Sequence, residues 1–264
     1  MHPNIISIYN EFLYHSNTTH LEQRQLLKEG RFSASSAGLC AKKLWYERNE
    51  FEGEPFDNDT LRIFRLGTIV GDDLETAMKW WGMCNNDWVV YTEEYVYDDY
   101  LNVGGSFDLL LVNRETRNGY LYDYKTAKSW SFTQKTGNPR NKLPQSYNYE
   151  FQLGTYANLI CSSTNKFGKR TDKNQFECDN IVYMGLVFYN KDDSRMATID
   201  VDNEYIKWAK EYWIKAVEIA NQKESPSNQK LIPYYSNWEC KEEYCRFWNH
   251  CDSEFRTEKK KGKK

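Results

Sequence analysis

The stretch that most constrains the fold is "GSFDLLLVNRETRNGYLYDYKTAK", residues 105 to 128. Two apolar runs flank a polar segment, "RETRNG", in which Asn118-Gly119 is the tightest turn signal, so the pair reads as a β-hairpin. Strands packed on a core alternate apolar and polar residues, or are apolar throughout when both faces are covered. These two comply apart from their charges. Asp108 interrupts the first, and Asp123 and Lys125 lie two apart in the second, so that their side chains leave the same face of one strand. The hairpin brings the three charges into one small region.

Two carboxylates held close together repel unless something positive stands between them. A hard divalent cation, Mg or Mn, with oxygen ligands and retained waters, meets that need. Lys125 would then face the attacking water, orienting it or offsetting charge that develops on a phosphate. That is the chemistry of phosphodiester cleavage. An edge hairpin with a solvated aspartate and a cross-strand Asp/Lys pair has the same spacing, so support has to come from other segments.

Composition permits an enzyme without demanding one. A chain of 264 residues suits one large domain or two small ones, and 40% hydrophobic with 16% aromatic content is enough for a packed core. The net charge of -3 argues against a uniformly basic nucleic-acid binder, so any polyanion contact is local. The opening "MHPNIISIYNEFLYHSNTTH" has no long apolar run and an early Glu; it reads as neither secretory signal nor membrane span, and the expected location is cytoplasmic.

Seven cysteines in a reducing compartment read as metal ligands or buried thiols rather than disulfides. Cys240, Cys245 and Cys251 crowd into "WECKEEYCRFWNHC", whereas Cys84, Cys161 and Cys178 are scattered. Three thiolates do not complete a four-ligand zinc or iron-sulfur site, so a fourth ligand comes from a distance or from His250. Cys40, in "SASSAGLCAKKLWYERNE", is a candidate, although taken alone it also reads as a small buried helix residue.

Periodicity predicts helices over residues 3 to 29, 35 to 48 and 59 to 81, with the acidic connector "NEFEGEPFDND" between the last two. Strands follow near 87 to 97, 105 to 113 and 119 to 126. The segment from Lys125 to Pro144 reads as a loop in which Lys128, Lys135, Arg140 and Lys142 are interleaved with Trp130 and Phe132. Cations mixed with exposed aromatics suit a single-stranded nucleic acid, and equally a solvated basic loop. Residues 145 to 162 form an amphipathic helix with Gln152 and Tyr156 one turn apart on one face. "DNIVYMGLVFYNKD" and "RMATIDV" read as a further antiparallel pair, and a helix spans 202 to 222. The final "KKKGKK" reads as a disordered basic tail.

Six of these pieces, in order, resemble the RecB-like branch of the PD-(D/E)xK nucleases. The resemblance is to its iron-sulfur members, the CRISPR-associated single-strand exonucleases and nuclease domains of AddB type. "FSASSAGLCAKKLWYE" is similar to the segment carrying the first cluster cysteine, Cys40, and "LGTIVGDDLE" to a helix that normally bears a metal-binding His. "GSFDLLL" and "LYDYKTAK" supply the metal carboxylates Asp108 and Asp123 and the lysine Lys125. "QLGTYA" matches a Q-x-x-x-Y motif as Gln152 and Tyr156, and "CKEEYCRFWNHC" the closing trio Cys240, Cys245 and Cys251.

The resemblance implies an α/β fold: a restriction-endonuclease-like core with a central mixed sheet flanked by helices, its N- and C-terminal segments joined by a cysteine-ligated cluster. One nuclease domain is expected, with an N-terminal helical segment (1–58), core (59–222), cluster segment (223–251) and basic tail (252–264). The implied activity is divalent-metal-dependent exonuclease cleavage of DNA, on single strands. Asp108, Asp123 and the carbonyl of Tyr124 hold Mg or Mn, Lys125 positions the water, and Gln152 and Tyr156 hold DNA or Lys125. The implied cysteine ligands carry a structural 4Fe-4S cluster, with zinc as the alternative. Recombination, replication or CRISPR proteins are the implied partners.

Two departures stand out. The family's His falls on Gly71, leaving a ligand missing that water or a nearby carboxylate would replace; Glu75, one turn beyond on the same face, is better placed than the adjacent Asp72. Cys240 and Cys245 are spaced C-x4-C where the family commonly has C-x-x-C, which keeps zinc open. The rival readings are a degenerate nuclease that binds DNA or a partner without cutting, and a zinc-stapled interaction module.

Overall fold

The computed structural model describes residues 4–28, 31–137, 147–160, 175–226 and 237–256. In chain order the elements are α1 (Ile5–Lys28), β1 (Phe32–Ser33), α2 (Ala41–Arg48), α3 (Asn58–Cys84), β2 (Trp88–Asp98), β3 (Val103–Asn113) and β4 (Asn118–Ala127). They continue with α4 (Ser129–Thr136), α5 (Tyr147–Ile160), β5 (Asn180–Asn190), β6 (Met196–Val201) and α6 (Glu204–Ala220). The strands form one mixed sheet in the order β1-β3-β4-β5-β6, with β2 also on β3. Pairings β2/β3, β3/β4 and β5/β6 are antiparallel, and β4/β5 and β1/β3 are parallel. The β5/β6 pairing is the antiparallel pair read from the sequence.

The expected hairpin forms, but its turn is not at Asn118-Gly119. The loop is residues 114–117, closed by Arg117 N–H donating to the Asn113 carbonyl at 2.9 Å, with Arg117 in the left-handed region at φ 55°. Asn113 Oδ1 accepts from the Thr116 N–H at 2.9 Å, an Asx-type closure that local sequence favours as strongly as an Asn-Gly turn. Gly119 instead serves inside β4, where a Cβ would stand 2.5 Å from Cys178 Sγ.

The core lies between the sheet and α5 and α6, around Phe107, Leu110, Leu121, Met184, Phe188 and Trp213. Nearly every residue of α5 is buried, and Gly154 lets α6 approach so closely that a Cβ there would stand 2.2 Å from the Tyr205 carbonyl oxygen. Tyr212 Oη, on α6, donates toward the carbonyls of Ser36 and Leu39 at 3.1 and 3.0 Å, tying the start of the chain to this layer.

Two expectations need correction. Residues 35 to 48 do not form one helix: a 3-10 turn at Ala34–Ser36 precedes α2, which begins only after Cys40. The basic loop after β4 contains a helix, α4, whose first N–H groups are met by Asp192 Oδ2 accepting from Ser129 N–H at 2.7 Å. That helix turns Phe132 into the core. Among the described residues, no helix is long and apolar enough to cross a membrane.

Candidate active site and cysteine cavity

The β3/β4 ladder runs from Val112↔Gly119 to Leu109↔Tyr122 and stops. The next pair in register is Asp108 with Asp123, and there the strands part. Two carboxylates directly opposite on adjacent strands destabilise the pairing. β5 continues to hold β4 through this region, with Asp123↔Leu186 and Lys125↔Phe188. The Tyr124 N–H donates instead to Asp108 Oδ2 at 2.5 Å.

The split opens into a cavity of about 490 Å³, lined among others by Glu93, Asp108, Tyr124, Lys125, Gln152 and Tyr156. Asp123 lies directly behind it, 0% exposed. Its Oδ1 accepts from Gln152 Nε2 at 3.0 Å, and its Oδ2, which has no hydrogen bond of good geometry, lies 2.5 Å from Lys125 Nζ as an ion pair. Gln152 Oε1 accepts from Lys125 Nζ at 3.4 Å, and Gln152 Nε2 also reaches Tyr156 Oη at 3.4 Å. Tyr156 itself packs over Gly105, where a Cβ would come 3.2 Å from the phenol oxygen. The sequence-derived set Asp108, Asp123, Tyr124, Lys125, Gln152 and Tyr156 is thus brought together.

Burial, and then the charge of Asp123, push the Asp108 carboxyl well above the usual aspartate range. Burial also raises Asp123, against the pull of Lys125. Burial disfavours the Lys125 ammonium, but Asp123 and then Asp108 outweigh it and hold its pKa above the ordinary lysine value. Lys125 also stands 4.9 Å from the centre of the Tyr149 ring, and Lys135 4.2 Å from it. Lys125 therefore supplies the positive charge beside Asp123, and the charge of Asp108 acts on it as well.

The remaining predicted residues fall outside this cluster. Glu75 is half-buried on α3, accepts from Thr92 Oγ1 at 2.7 Å and is paired with Lys79; Asp72 is exposed. Neither lines the cavity, and a Cβ at Gly71 would meet nothing within 4 Å. Lys128 and Trp130 are exposed at the start of α4, Trp130 by 67%, whereas Lys135 turns inward over Tyr149. Burial drops the Lys135 ammonium to about 8, with Lys125 adding to the shift. Arg140 and Lys142 lie outside the described residues.

Glu93 was not anticipated. It lines the same cavity, and its backbone has φ 52° inside an otherwise regular strand. The only sequence signal is the pair of acids in "YTEEYVY", which does not alternate as an exposed strand should.

At the other end of the chain, Cys40, Cys240, Cys245 and Cys251 all line one cavity of about 30 Å³ with Lys42, Lys43 and Arg256. His250 does not line it; its Nε2 is 3.2 Å from the Glu52 carbonyl. Cys40 precedes α2, and α2 is bound to the C-terminal segment by several contacts. Tyr46 Oη donates to the His250 carbonyl at 2.8 Å, Tyr46 stacks on Phe247 at 5.4 Å, and the buried Lys42 pairs with Asp252. Burial raises the Cys245 thiol, with Cys251 and Cys240 contributing, so these sulfurs feel one another. Four sulfurs on one cavity with cations beside them suit a cluster or ion that needs anionic thiolates.

Among the described residues, no group of three or more His, Cys, Asp or Glu side chains already stands in metal-holding geometry. At either site side chains would have to rotate for a metal to be held. The donor types fit: buried carboxylates for a hard cation at one site, thiols for a soft ion or cluster at the other.

No family model matches the chain, and neither does any curated protein. Among solved structures it resembles SSO0001, with a TM-score of 0.52 and 17% identity over 94% of this chain and 97% of that one. LHK-Exo, solved in complex with dAMP, gives a TM-score of 0.39 and 18% identity over 75% of this chain and 92% of that one. The chain has a mixed α/β fold, a central mixed sheet flanked by helices, shared with SSO0001.

Proposed function

We propose that this protein is a divalent-metal-dependent nuclease that hydrolyses phosphodiester bonds in DNA, acting on single strands from an end. The observation that carries the reading is the Asp108, Asp123, Lys125 and Gln152 constellation at the split between β3 and β4, facing an open cavity of about 490 Å³. Asp108 and Asp123, with the Tyr124 carbonyl, are the residues to hold Mg or Mn. Such an ion, when bound, polarises a phosphate and lowers the pKa of water.

The chain's own groups do the rest. Lys125, paired with Asp123 and kept protonated by both acids, would orient the attacking water and offset charge on the phosphate once the acids are engaged by a cation. Gln152 touches both Asp123 and Lys125, so it fixes where the acid and the ammonium stand relative to α5. Trp130 and Lys128 at the exposed start of α4 offer a stacking face and a cation to the strand beyond the cavity. Cys40, Cys240, Cys245 and Cys251 hold a 4Fe-4S cluster that fastens the N-terminal segment to the C-terminal one.

The test is cleavage of end-labelled single-stranded and duplex DNA with Mg, with Mn and with EDTA, by wild type and Asp123→Ala. Metal-dependent shortening of single strands by wild type alone is expected. Cleavage by Asp123→Ala at the wild-type rate overturns the assignment, and DNA binding without cleavage in either metal replaces it with a degenerate binding protein.

A further inference from the structure

We infer that Glu93 is a third metal-holding carboxylate of this cavity, supplying with Asp108 and Asp123 the ligand that Gly71 lacks. The inference deepens the nuclease reading and rests on it. β2 pairs with β3 as Thr92↔Leu109 and Glu94↔Phe107, which sets Glu93 level with Asp108. The β3/β4 register sets Asp108 level with Asp123. The three acids therefore fall at one level across three adjacent strands, although neither Glu93/Asp108 nor Asp108/Asp123 is itself a ladder pair. Carboxylate oxygens are the ligands a hard divalent cation takes.

The backbone singles out the same residue. The Glu93/Asp108 pair is the one step missing from a ladder otherwise continuous from Trp88 to Asp98, and Glu93 there has φ 52°. That region is costly for a residue such as glutamate, and a strained residue kept at a cavity wall points to a use for its side chain. Glu93 sits at the mouth of the cavity that Asp108, Tyr124 and Lys125 line. Its charge is felt there as a small addition to the rise of Asp108, behind burial and Asp123, and of Tyr124, behind burial, Asp108 and Glu75.

Charge balance agrees. Three carboxylates against the one ammonium of Lys125 leave two net negative charges, which one divalent cation neutralises. On α3 Gly71 has no side chain, and Glu75, although its charge reaches Tyr124, does not line the cavity and is held by Thr92 and Lys79. The three acids are not yet at ligand distance around one point, so loading requires Glu93 to rotate inward as Lys125 withdraws.

The test is calorimetric titration of Mn into the whole purified protein, comparing wild type with Glu93→Gln, Glu93→Asn, Glu94→Gln and Asp123→Asn. Asparagine tolerates the left-handed backbone, so Glu93→Asn removes the charge without straining the strand. Mn affinity is expected to fall about tenfold or more in both Glu93 variants, the scale of losing a partner at a metal site, and to hold in Glu94→Gln. Wild-type affinity in both Glu93 variants, with binding lost in Asp123→Asn, overturns the inference and leaves the nuclease reading standing. An equal loss in Glu94→Gln also overturns it, because the effect is then one of general field. No Mn binding by wild type overturns the nuclease reading itself.

Discussion

Gln152 touches Asp123 and Lys125 at once, donating to the first at 3.0 Å and accepting from the second at 3.4 Å. An amide carries both an N–H donor for an acid and a carbonyl acceptor for an ammonium, so one side chain serves the two together. Gln152→Ala is therefore expected to lower kcat about 10- to 100-fold, the usual effect of losing an orienting partner, with little change in DNA affinity. Steady-state cleavage beside a binding assay checks this, and an unchanged kcat removes Gln152 from the machinery.

The closeness of α5 and α6 depends on Gly154. With the Tyr205 carbonyl 2.2 Å from where a Cβ would sit, and backbone on both sides, Gly154→Ala must push the helices apart. Overpacking of this kind costs about 1–3 kcal/mol. Urea unfolding should show a lower midpoint with an unchanged slope.

Lys135 gives a pH signature. Its pKa in the folded chain is about 8, below the value of about 10.4 expected when unfolded. Between these values the unfolded chain binds more protons, so stability rises with pH across that interval; below pH 8 the charge is buried at full cost. Lys135→Met should melt higher at pH 7 and show a flatter rise from pH 8 to about 10.4. Parallel melting curves for the two proteins at every pH would refute this.

The cysteine cavity makes a prediction of its own. Protein purified without oxygen is expected to be brown and to hold iron and acid-labile sulfide in equal amounts, and Cys40→Ser to lose both and melt at lower temperature. Colourless protein containing zinc would reassign the ligand while keeping the four cysteines together.

Much of this architecture was legible because it is local. The β3/β4 hairpin and the helices with one apolar face declare themselves in the period of their side chains, and Asp108, Asp123 and Lys125 declared themselves by interrupting it. What escaped was non-local. The β4/β5 pairing is parallel and joins segments separated by α4 and α5, so no turn in the sequence announces it. The turn lies within "RETRNG" as read, but Asn118-Gly119 was the wrong signal for it, because Gly119 is a glycine for the sake of Cys178, a neighbour invisible in the linear chain. Phe132 and Lys135 looked like loop residues because the cap of their helix, Asp192, comes from beyond β5. Glu93 was overlooked because a left-handed glutamate has no signature in composition.

The four sulfurs that meet in the cysteine cavity enter synthesis very unevenly, one at position 40 and the others only from 240 onward. Domains take shape N-terminal part first as the chain is made. The hairpin and its acids can therefore pair on a chain that still lacks three of the four sulfurs. Any metal or cluster taken up by the four cysteines would then be bound late in maturation, after the C-terminal segment has arrived. A chain truncated before Cys240 would keep Asp108, Asp123 and Lys125, and its N-terminal segment would still be held by Tyr212 on α6 and by Trp45 on Gln222, but without the cysteine clasp. Cells short of the metal would be expected to accumulate a form with its acids in place and its C-terminal segment loose, a ready target for proteolysis.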